Sequence, residues 1–341
     1  MDVLSATTIR EVQKANCFDF LRYLFAFSLI LTHFCALVQI DQMWFISGGM
    51  RVKAFFVITG FLVTYSLLRR GNLRSYALKR VVRIMPAYTC AILFCLCIGF
   101  WLTTLNSYDF LTSQQTWKYA IVNLLMLNWL EPNLPGVFEG HYMSFMNGSL
   151  WSMKQEMVFY AIVPILIWSV RRWDKKRTLL PLMLCMCLVH NWCNVQTRYF
   201  MFFFGGMTTL LFLDEYYRWF RWAFPFSLFA IVATNYVSIP YVSFLLYSIE
   251  PLTFAMAIVG IAYHLRPMNF LQRFDNVSYG LYLYHFPVIQ TLIHFGINRQ
   301  SISLCFILTL MITIALACLS WFLMEKPLIN KISAVPKIVK S

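Results

Sequence analysis

Apolar segments of membrane-spanning length recur from Phe18 to Met324, and no long polar block separates them. A helix needs about 20 mostly apolar residues to cross the hydrocarbon core of a bilayer. The pattern predicts apolar segments at about 18–40, 52–68, 84–104, 118–130, 150–170, 178–194, 199–213, 222–238, 241–264, 277–296 and 302–324. We therefore expect an all-α, polytopic integral membrane protein.

Two basic stretches predict the orientation of the early segments. The stretch RRGNLRSYALKRVVR at 69–83 contains six basic residues and no acid, and RRWDKKR at 171–177 is also strongly basic. Short loops rich in lysine and arginine stay on the cytoplasmic side. Because the chain must cross an even number of times between two cytoplasmic loops, the short segment at 118–130 should not cross. We predict that it is re-entrant or lies along the outer surface, inside an external region at about 106–148.

The remaining basic loops agree with this orientation. They contain the pairs Arg218 and Arg221, Arg266 and Arg273, and Lys326 and Lys331. Placing all of them inside predicts about ten transmembrane helices, with both termini cytoplasmic. Since no stretch is long and polar enough to fold separately, we expect a single membrane domain over 1–341 and no fused soluble domain.

The composition argues against a soluble nucleic-acid-binding protein. Hydrophobic residues make up 60% of the 341 residues and charged residues 12%, about half the charged share of a soluble domain. The formal net charge of +14 therefore reports membrane orientation, and we expect no nucleic-acid partner. The ten cysteines lie in or beside apolar runs without a CxxC pair, so we expect buried thiols and no metal site.

Two ionisable residues, Arg22 and His33, interrupt the first apolar segment. A charged group in hydrocarbon is costly, so such residues usually serve a function or have a specific partner. On a helix the two lie about 20° apart around the axis and about 16 Å apart along it. They therefore share one face, with Arg22 near the cytoplasmic boundary and His33 about 10 Å below the outer one.

Glu156 is predicted to lie at the same depth as His33, about 10 Å below the outer boundary, because its segment runs in the opposite direction. A carboxylate that orients an imidazole helps that imidazole to remove a proton from a hydroxyl group. His33 and Glu156 are therefore the candidate catalytic residues. The alternative is that both are packing groups that form hydrogen bonds between helices.

Seven short motifs occur in order along almost the whole chain. They are the Arg22 and His33 pair, FFVITGFLVTY at 55–65, KRVVRIMPAY at 79–88, SLWSMKQEMVFY with Glu156, FFFGG ending at Gly206, VSYGLYLYHFPV with His285, and MEKP with Glu325. In these motifs and their order, the chain resembles the membrane-bound acyltransferase 3 family. The family commonly has serine where Thr59 stands here, a change that keeps the hydroxyl group.

The resemblance implies ten transmembrane helices and the transfer of an acyl group, most often acetyl from acetyl-CoA, to a hydroxyl of a cell-envelope glycan. Acyl-CoA is then a substrate, and no cofactor is permanently bound. The family's arginine and histidine correspond to Arg22 and His33. The resemblance also implies a bacterial inner-membrane location. The expected partners are membrane lipids and a glycan or lipid-linked glycan acceptor such as O-antigen, capsule or exopolysaccharide.

Basic residues on the cytoplasmic side are the candidate donor ligands. Arg80 and Arg83 are three residues apart and face one direction on a helix, and arginine binds phosphate through paired hydrogen bonds. With Arg22 they would hold the phosphates of CoA. The alternative is that they only determine the orientation of the chain. His285 either lines the path of the acyl donor or forms a hydrogen bond to a neighbouring helix, and the sequence leaves both open.

Trp151 and Lys154, beside Glu156, are the candidate acceptor ligands. Tryptophan stacks on pyranose rings, although it is also typical of the membrane interface. Sugar selection depends on the shape of loops, so neither the acceptor nor the length of the acyl group follows from these motifs. Direct transfer by His33 as a general base and transfer through an acyl-histidine both remain open.

A second function from another class also fits the composition. A transporter or flippase of an envelope lipid or sugar would use intramembrane His, Glu and Arg residues to relay protons. Many transporters show paired motifs in two halves of the chain. No such pairs accompany the motifs found here, so the acyltransferase is the favoured function.

Overall fold

A computed structural model describes residue 12 and residues 17–41, 48–70, 72–236, 239–264 and 277–333. Within these ranges the regular structure is helical. The α-helices are α1 Phe18–Val38, α2 Gly48–Arg70, α3 Leu73–Leu102, α4 Ser107–Thr112, α5 Gln114–Leu124, α6 Met153–Trp173, α7 Lys175–His190, α8 Val195–Leu211, α9 Leu213–Tyr236, α10 Pro240–His264, α11 Val277–His294, α12 Ile297–Gln300, α13 Ile302–Ser320 and α14 Lys326–Ser333. Short 3₁₀ helices occur at Asn128–Leu130 and Gly148–Ser152, and a π-helical turn at Trp321–Glu325.

Six helices of the described part are long and apolar enough to cross a membrane. They cover Phe18–Val38, Gly49–Arg69, Leu73–Leu102, Gly148–Trp173, Tyr241–His264 and Ile302–Lys331. The protein is therefore an all-α, multi-pass membrane protein. The predicted number of about ten spans goes beyond these six. For example, α7 and α8 have only 16 and 17 residues, fewer than the usual 20 or so of a spanning helix.

The segment predicted at 118–130 overlaps α5, a helix of 11 residues that begins at Gln114. At 1.5 Å per residue it is about 16 Å long, roughly half the thickness of the hydrocarbon core. As a helix it is therefore too short to cross, which agrees with the predicted non-crossing segment. Tyr88 on α3 donates a 2.8 Å hydrogen bond to the carbonyl oxygen of Asn123 and so holds the end of α5.

The basic stretch predicted as a loop at 69–83 is mostly helical, which corrects the sequence interpretation. Helix α2 continues to Arg70 and α3 already begins at Leu73. The side chain of Asn72 accepts a 2.9 Å hydrogen bond from the backbone N–H of Arg74, as residues at helix starts commonly do. Alanine, leucine, lysine and arginine have high helix propensities, so the positive charge does not prevent the helix from extending through this stretch.

The chain divides into two compact units that alternate along the sequence. The first comprises Met1–Phe25, Ile46–Tyr76 and Met157–Arg273, and the second Ala26–Phe45, Ala77–Glu156 and Phe274–Ser341. Each unit is described separately below.

In the first unit, α2 packs along α8 at a distance that only glycine permits. A Cβ atom at Gly60 would lie 2.0 Å from the carbonyl oxygen of Phe203, and one at Gly206 would lie 2.1 Å from that of Val57. Small residues allow such close approach of helix backbones in membranes. The glycines of two separate sequence motifs therefore form one helix–helix interface.

Gly205 forms a second close contact of α8. A Cβ atom there would lie 2.4 Å from the carbonyl oxygen of Pro251 on α10. Consecutive residues on a helix point about 100° apart. Gly205 and Gly206 therefore allow α8 to approach two different neighbours, α10 and α2.

The first unit also contains a partly buried ion pair. The Lys53 ammonium lies 2.5 Å from one carboxylate oxygen of Glu250, and His190 Nε2 lies 3.8 Å from the other. The same ammonium lies 5.1 Å from the ring centroid of Phe202. A buried carboxylate needs such a partner, so Glu250 has a structural role in joining α2 to α10.

The second unit has its apolar core around α11. Buried Phe34 and Leu37 of α1 belong to one cluster with Phe286 and Ile289 of α11. Helix α11 also packs closely on α13, since a Cβ atom at Gly280 would lie 2.8 Å from the Cα and Cβ atoms of Ala317. This packing brings the polar residues of α1 and α11 together.

Candidate active site

The centre of the candidate site is a pair of histidines on α1 and α11. His33 Nδ1 lies 2.7 Å from His285 Nε2, although the residues are 252 positions apart in the chain. The two rings are nearly parallel, with an interplanar angle of 5° and centroids 5.0 Å apart. His285 is fully buried, whereas His33 is partly exposed. Of the two roles open for His285, the structure shows the hydrogen bond to a neighbouring helix.

The hydrogen bonds assign a tautomer to each imidazole. His285 Nδ1 lies 3.0 Å from the carbonyl oxygen of Leu281, which can only accept, so Nδ1 carries the proton. In the neutral ring His285 Nε2 is then an acceptor, and His33 Nδ1 must donate to it. Neutral His33 therefore has its lone pair on Nε2, the nitrogen that can take up a proton or act as a nucleophile.

Pro287 creates an anchor point on α11 beside this pair. Proline has no N–H, so it leaves the carbonyl oxygen four residues earlier without its helical donor. That oxygen belongs to Leu283, and the side chain of Asn147 donates a 2.9 Å hydrogen bond to it. The Asn147 side chain also accepts a 3.1 Å hydrogen bond from the backbone N–H of Ser149. The proline thereby fixes the segment that precedes α6.

Ser149 is a third polar group at the histidine pair. Its hydroxyl lies 3.3 Å from His285 Nε2 and donates to it, since that nitrogen is an acceptor. This close approach of Ser149 to His285 depends on Gly148, because a Cβ atom at Gly148 would lie 2.7 Å from the ring of Phe286. The sequence interpretation did not identify Ser149. Its only signal was its place at the start of the SLWSMKQEMVFY motif.

Tyr282 connects Ser149 to the start of α6. Its hydroxyl donates to the carbonyl oxygen of Ser149 and therefore accepts the 2.7 Å hydrogen bond from the hydroxyl of Ser152. The Glu156 carboxylate is close enough to the Tyr282 hydroxyl for the two to interact electrostatically. Glu156 is buried. The predicted pair of Glu156 with His33 stays a prediction, while His285 is the partner observed at His33 Nδ1.

The three predicted donor ligands lie on helices with other ionic neighbours. In the first unit, Arg22 on α1 forms a 3.4 Å ion pair with Asp19, one turn earlier. In the second unit, Arg80 and Arg83 are partly buried on the first turns of α3, and Arg83 is close enough to the buried Glu325 to interact electrostatically. Their binding of a donor stays a prediction.

The predicted acceptor ligand Lys154 lies over the face of Trp129, a residue that the sequence interpretation did not identify as part of the site. Its ammonium is 5.3 Å from the ring centroid of Trp129, which is 63% exposed. The predicted Trp151 lies in the 3₁₀ helix Gly148–Ser152 and is partly buried. The sequence interpretation missed Trp129 because the lysine contact joins residues far apart in the chain.

The segment at 131–147, part of the region at about 106–148 that the sequence predicts to be external, is anchored on α11 by Gln290. Its side-chain amide donates hydrogen bonds of 2.6 Å and 3.0 Å to the carbonyl oxygens of Met143 and Phe145. Its carbonyl oxygen accepts a 2.9 Å hydrogen bond from His141 Nδ1. Burial lowers the pKa of His141, which favours the neutral ring. His141 therefore holds the loop, as expected for a loop residue.

Metal-ligating side chains do not cluster within the described ranges. Among their residues, no group of three or more His, Cys, Asp and Glu side chains is arranged to hold a metal ion. The polar groups at the histidine pair are instead imidazole, hydroxyl and amide groups. Imidazole and hydroxyl groups can transfer protons, whereas amides form hydrogen bonds.

The fold and this site define a multi-pass membrane protein with a partly buried imidazole pair suited to proton transfer. The model of the acyltransferase domain family Acyl_transf_3 matches residues 16–324, so the chain belongs to this family and is an acyltransferase. No solved structure gives a significant match to the chain.

Three relatives extend the comparison. Nodulation protein 10 of Rhizobium leguminosarum bv. viciae is 28% identical over 81% of this chain and 81% of its own length. An O-acetyl transferase of Shigella phage Sf6 is 25% identical over 96% of this chain and 99% of its length. The O-acetyltransferase OatA of Staphylococcus aureus (strain NCTC 8325 / PS 47) is 22% identical over 92% of this chain, which covers 57% of that protein.

Proposed function

We propose that the protein is a membrane O-acetyltransferase that moves an acetyl group from acetyl-CoA to a hydroxyl group of a cell-envelope glycan. The observation that carries the proposal is the contact of His33 with His285, which leaves the lone pair of neutral His33 on Nε2. Membership of the acyltransferase family and two relatives named as O-acetyltransferases support acetyl as the group transferred.

In the proposed reaction, His33 acts as a general base. Its Nε2 takes the proton of the acceptor hydroxyl while the hydroxyl oxygen attacks the thioester carbon. The C–S bond then breaks, and the leaving thiolate takes the proton back from His33. During the reaction His33 is positively charged, so its Nδ1–H donates a stronger, charge-assisted hydrogen bond to neutral His285. His285 is thus a positioning residue, and Glu156 is proposed as a ligand of the acceptor.

The donor is proposed to enter from the cytoplasmic side. Arg80 and Arg83 lie one turn apart on α3, and arginine suits the diphosphate and phosphate groups of CoA. Arg22 is proposed as a further donor ligand. Trp151 and Lys154 are proposed to contact the sugar, and the exposed ring of Trp129 joins them.

The proposed location is the bacterial inner membrane, with both termini cytoplasmic and about ten transmembrane helices. The basic residues at 171–177 and on the first turns of α3 support this orientation through the positive-inside rule. In it the external region at about 106–148 faces the glycan.

The proposal is tested with purified protein in lipid nanodiscs, radiolabelled acetyl-CoA and an envelope glycan from the source cells. We expect label to appear in the glycan as an ester that mild base removes, because O-acetyl groups are base-labile. Reactions without glycan or with heat-treated protein are the controls. A transporter or flippase would form no ester, so a glycan that stays unlabelled in the presence of folded protein would contradict the proposal.

Replacing His285 tests its positioning role. His285→Leu is expected to lower kcat about 10-fold to 100-fold, because a hydrogen bond to a charged group contributes about 1.5–3 kcal/mol. The KM values for both substrates should stay near those of the unchanged protein. His285→Gln should retain more activity, since its side-chain oxygen can accept from His33 Nδ1. Equal loss in both variants, together with a lower yield of folded protein, would indicate a purely structural role.

A further inference from the structure

The first unit contains an apolar cavity that lies outside the proposed catalytic machinery. Its volume is about 300 Å³, and it is formed by α7, α8, α9 and α10. The apolar side chains of its wall include Leu180, Met183, Phe212, Trp219, Leu252 and Met256. Leu180 and Trp219 are 51% and 62% exposed. The part of the wall that these two residues form therefore also reaches the surface of the protein.

The hydroxyl groups of the wall already donate hydrogen bonds to backbone carbonyl oxygens. The hydroxyls of Thr208 and Thr209 each donate a 2.9 Å hydrogen bond to the carbonyl oxygen of Gly205. The Tyr216 hydroxyl donates a 2.7 Å hydrogen bond to the carbonyl oxygen of Met256. The cavity therefore offers almost only apolar surface, which suits a hydrocarbon chain better than a sugar or nucleotide.

Charged residues lie at one end of the cavity, where α7 begins and α8 ends. The Lys175 ammonium is 2.9 Å from the carbonyl oxygen of Leu211 and 3.1 Å from the carboxylate of Glu215. It is also 4.7 Å from the ring centroid of Phe212. Glu215 and Phe212 both belong to the cavity wall. Because Lys175 neutralises Glu215, the wall itself presents no net negative charge.

The sequence around Lys175 is strongly basic. The stretch at 171–177 contains five basic residues and one acid, Asp174. Asp174 accepts a 3.0 Å hydrogen bond from the backbone N–H of Lys176, which lowers the pKa of Asp174. Lys176 and Arg177 are exposed. A basic cluster beside an apolar cavity between the helices of a membrane protein is an arrangement that binds anionic lipids.

We propose that this cavity holds an acyl chain of an anionic glycerophospholipid whose phosphate binds Lys176 and Arg177. The apolar wall would contact the chain, and the exposed cations would bind the headgroup. Arginine and lysine at this position can reach the headgroup region from a helix end. The lipid would be a bound partner of the protein, and the inference does not depend on the proposed catalysis.

The test measures lipid binding to the full-length protein by native mass spectrometry. Phosphatidylglycerol is compared with phosphatidylcholine of the same chain composition. We expect phosphatidylglycerol to bind at least 10-fold more tightly and to raise the temperature of unfolding more. Met183→Trp, which fills the cavity, should weaken phosphatidylglycerol binding at least 10-fold. Leu184→Trp is the matched control, since Leu184 is the next residue of α7, is 63% exposed and does not line the cavity.

A second variant tests the headgroup contact without altering the cavity. Lys176→Gln combined with Arg177→Gln should reduce the preference for phosphatidylglycerol over phosphatidylcholine to less than 3-fold. Equal binding of the two lipids to the unchanged protein would overturn the proposal. So would equal phosphatidylglycerol binding by Met183→Trp and Leu184→Trp. If Met183→Trp does not fold, an unchanged lipid preference in the charge variant is sufficient to refute the headgroup site.

Discussion

Replacing His33 by alanine is expected to lower the rate of acetyl transfer by a factor of about 10²–10⁴, the usual contribution of a general base. The physical reason is that the variant lacks the imidazole nitrogen, Nε2, that takes up the proton of the attacking hydroxyl in the proposed reaction. The measurement is the initial rate of glycan acetylation by purified protein at saturating acetyl-CoA and glycan. The amount of folded protein is determined in parallel by size-exclusion chromatography.

Thr32→Ala is the matched control for this variant. Thr32 precedes His33 on α1, and its hydroxyl donates a 2.9 Å hydrogen bond to the carbonyl oxygen of Ser28 within the same helix. Its replacement should leave the rate within a factor of about 3. Substitutions of partly exposed residues rarely change the free energy of unfolding by more than about 0.5 kcal/mol, so α1 should keep its structure. Acetylation by the His33→Ala protein at the unchanged rate would show that His33 is not the base.

Gly206→Ala is expected to destabilise the first unit by about 3 kcal/mol, the upper part of the usual range for overpacking. The added methyl group would meet the backbone carbonyl of Val57 at 2.1 Å. A carbonyl in a helix cannot rotate away as a side chain can, so α2 and α8 would have to separate. The measurement is thermal or denaturant-induced unfolding in detergent, together with the yield of folded protein.

Gly49→Ala provides the comparison for the glycine substitution. Gly49 also lies within a helix, α2, but nothing is within 4 Å of its added Cβ atom. Alanine is favoured over glycine in a helix by roughly 0.5–1 kcal/mol, so this variant should be as stable as the original protein or slightly more stable. If Gly206→Ala is equally stable, the close contact of α2 with α8 is not required.

Several features of the fold follow directly from the chain. The helix α1, Phe18–Val38, lies where the apolar segment at 18–40 predicts it, because membrane-length apolar runs depend on local composition alone. The prediction of a loop at 69–83 was wrong because it was based on charge. Positive charge specifies the side of the membrane but does not specify where a helix ends, and the helix propensities of these residues allow α3 to begin at Leu73.

The candidate site was predictable only in part. His33 stood out because an ionisable residue within an apolar segment is costly. Its observed partner His285 was recognised as a motif residue, yet its hydrogen bond could not be distinguished from a place on the donor path. Ser149 and Trp129 carried no strong signal, because serine and tryptophan are common near helix starts and membrane interfaces.

The amino-acid sequence by itself determined the all-α membrane class, the helix that carries Arg22 and His33, and the motifs that indicate the acyltransferase family. These depend on local hydropathy, charge and spacing. Only the tertiary structure decided that His285 forms a hydrogen bond with His33, that Pro287 provides the anchor for Asn147, and that glycines of two motifs meet between α2 and α8. These contacts join residues distant in the chain, and their geometry follows from how the helices pack.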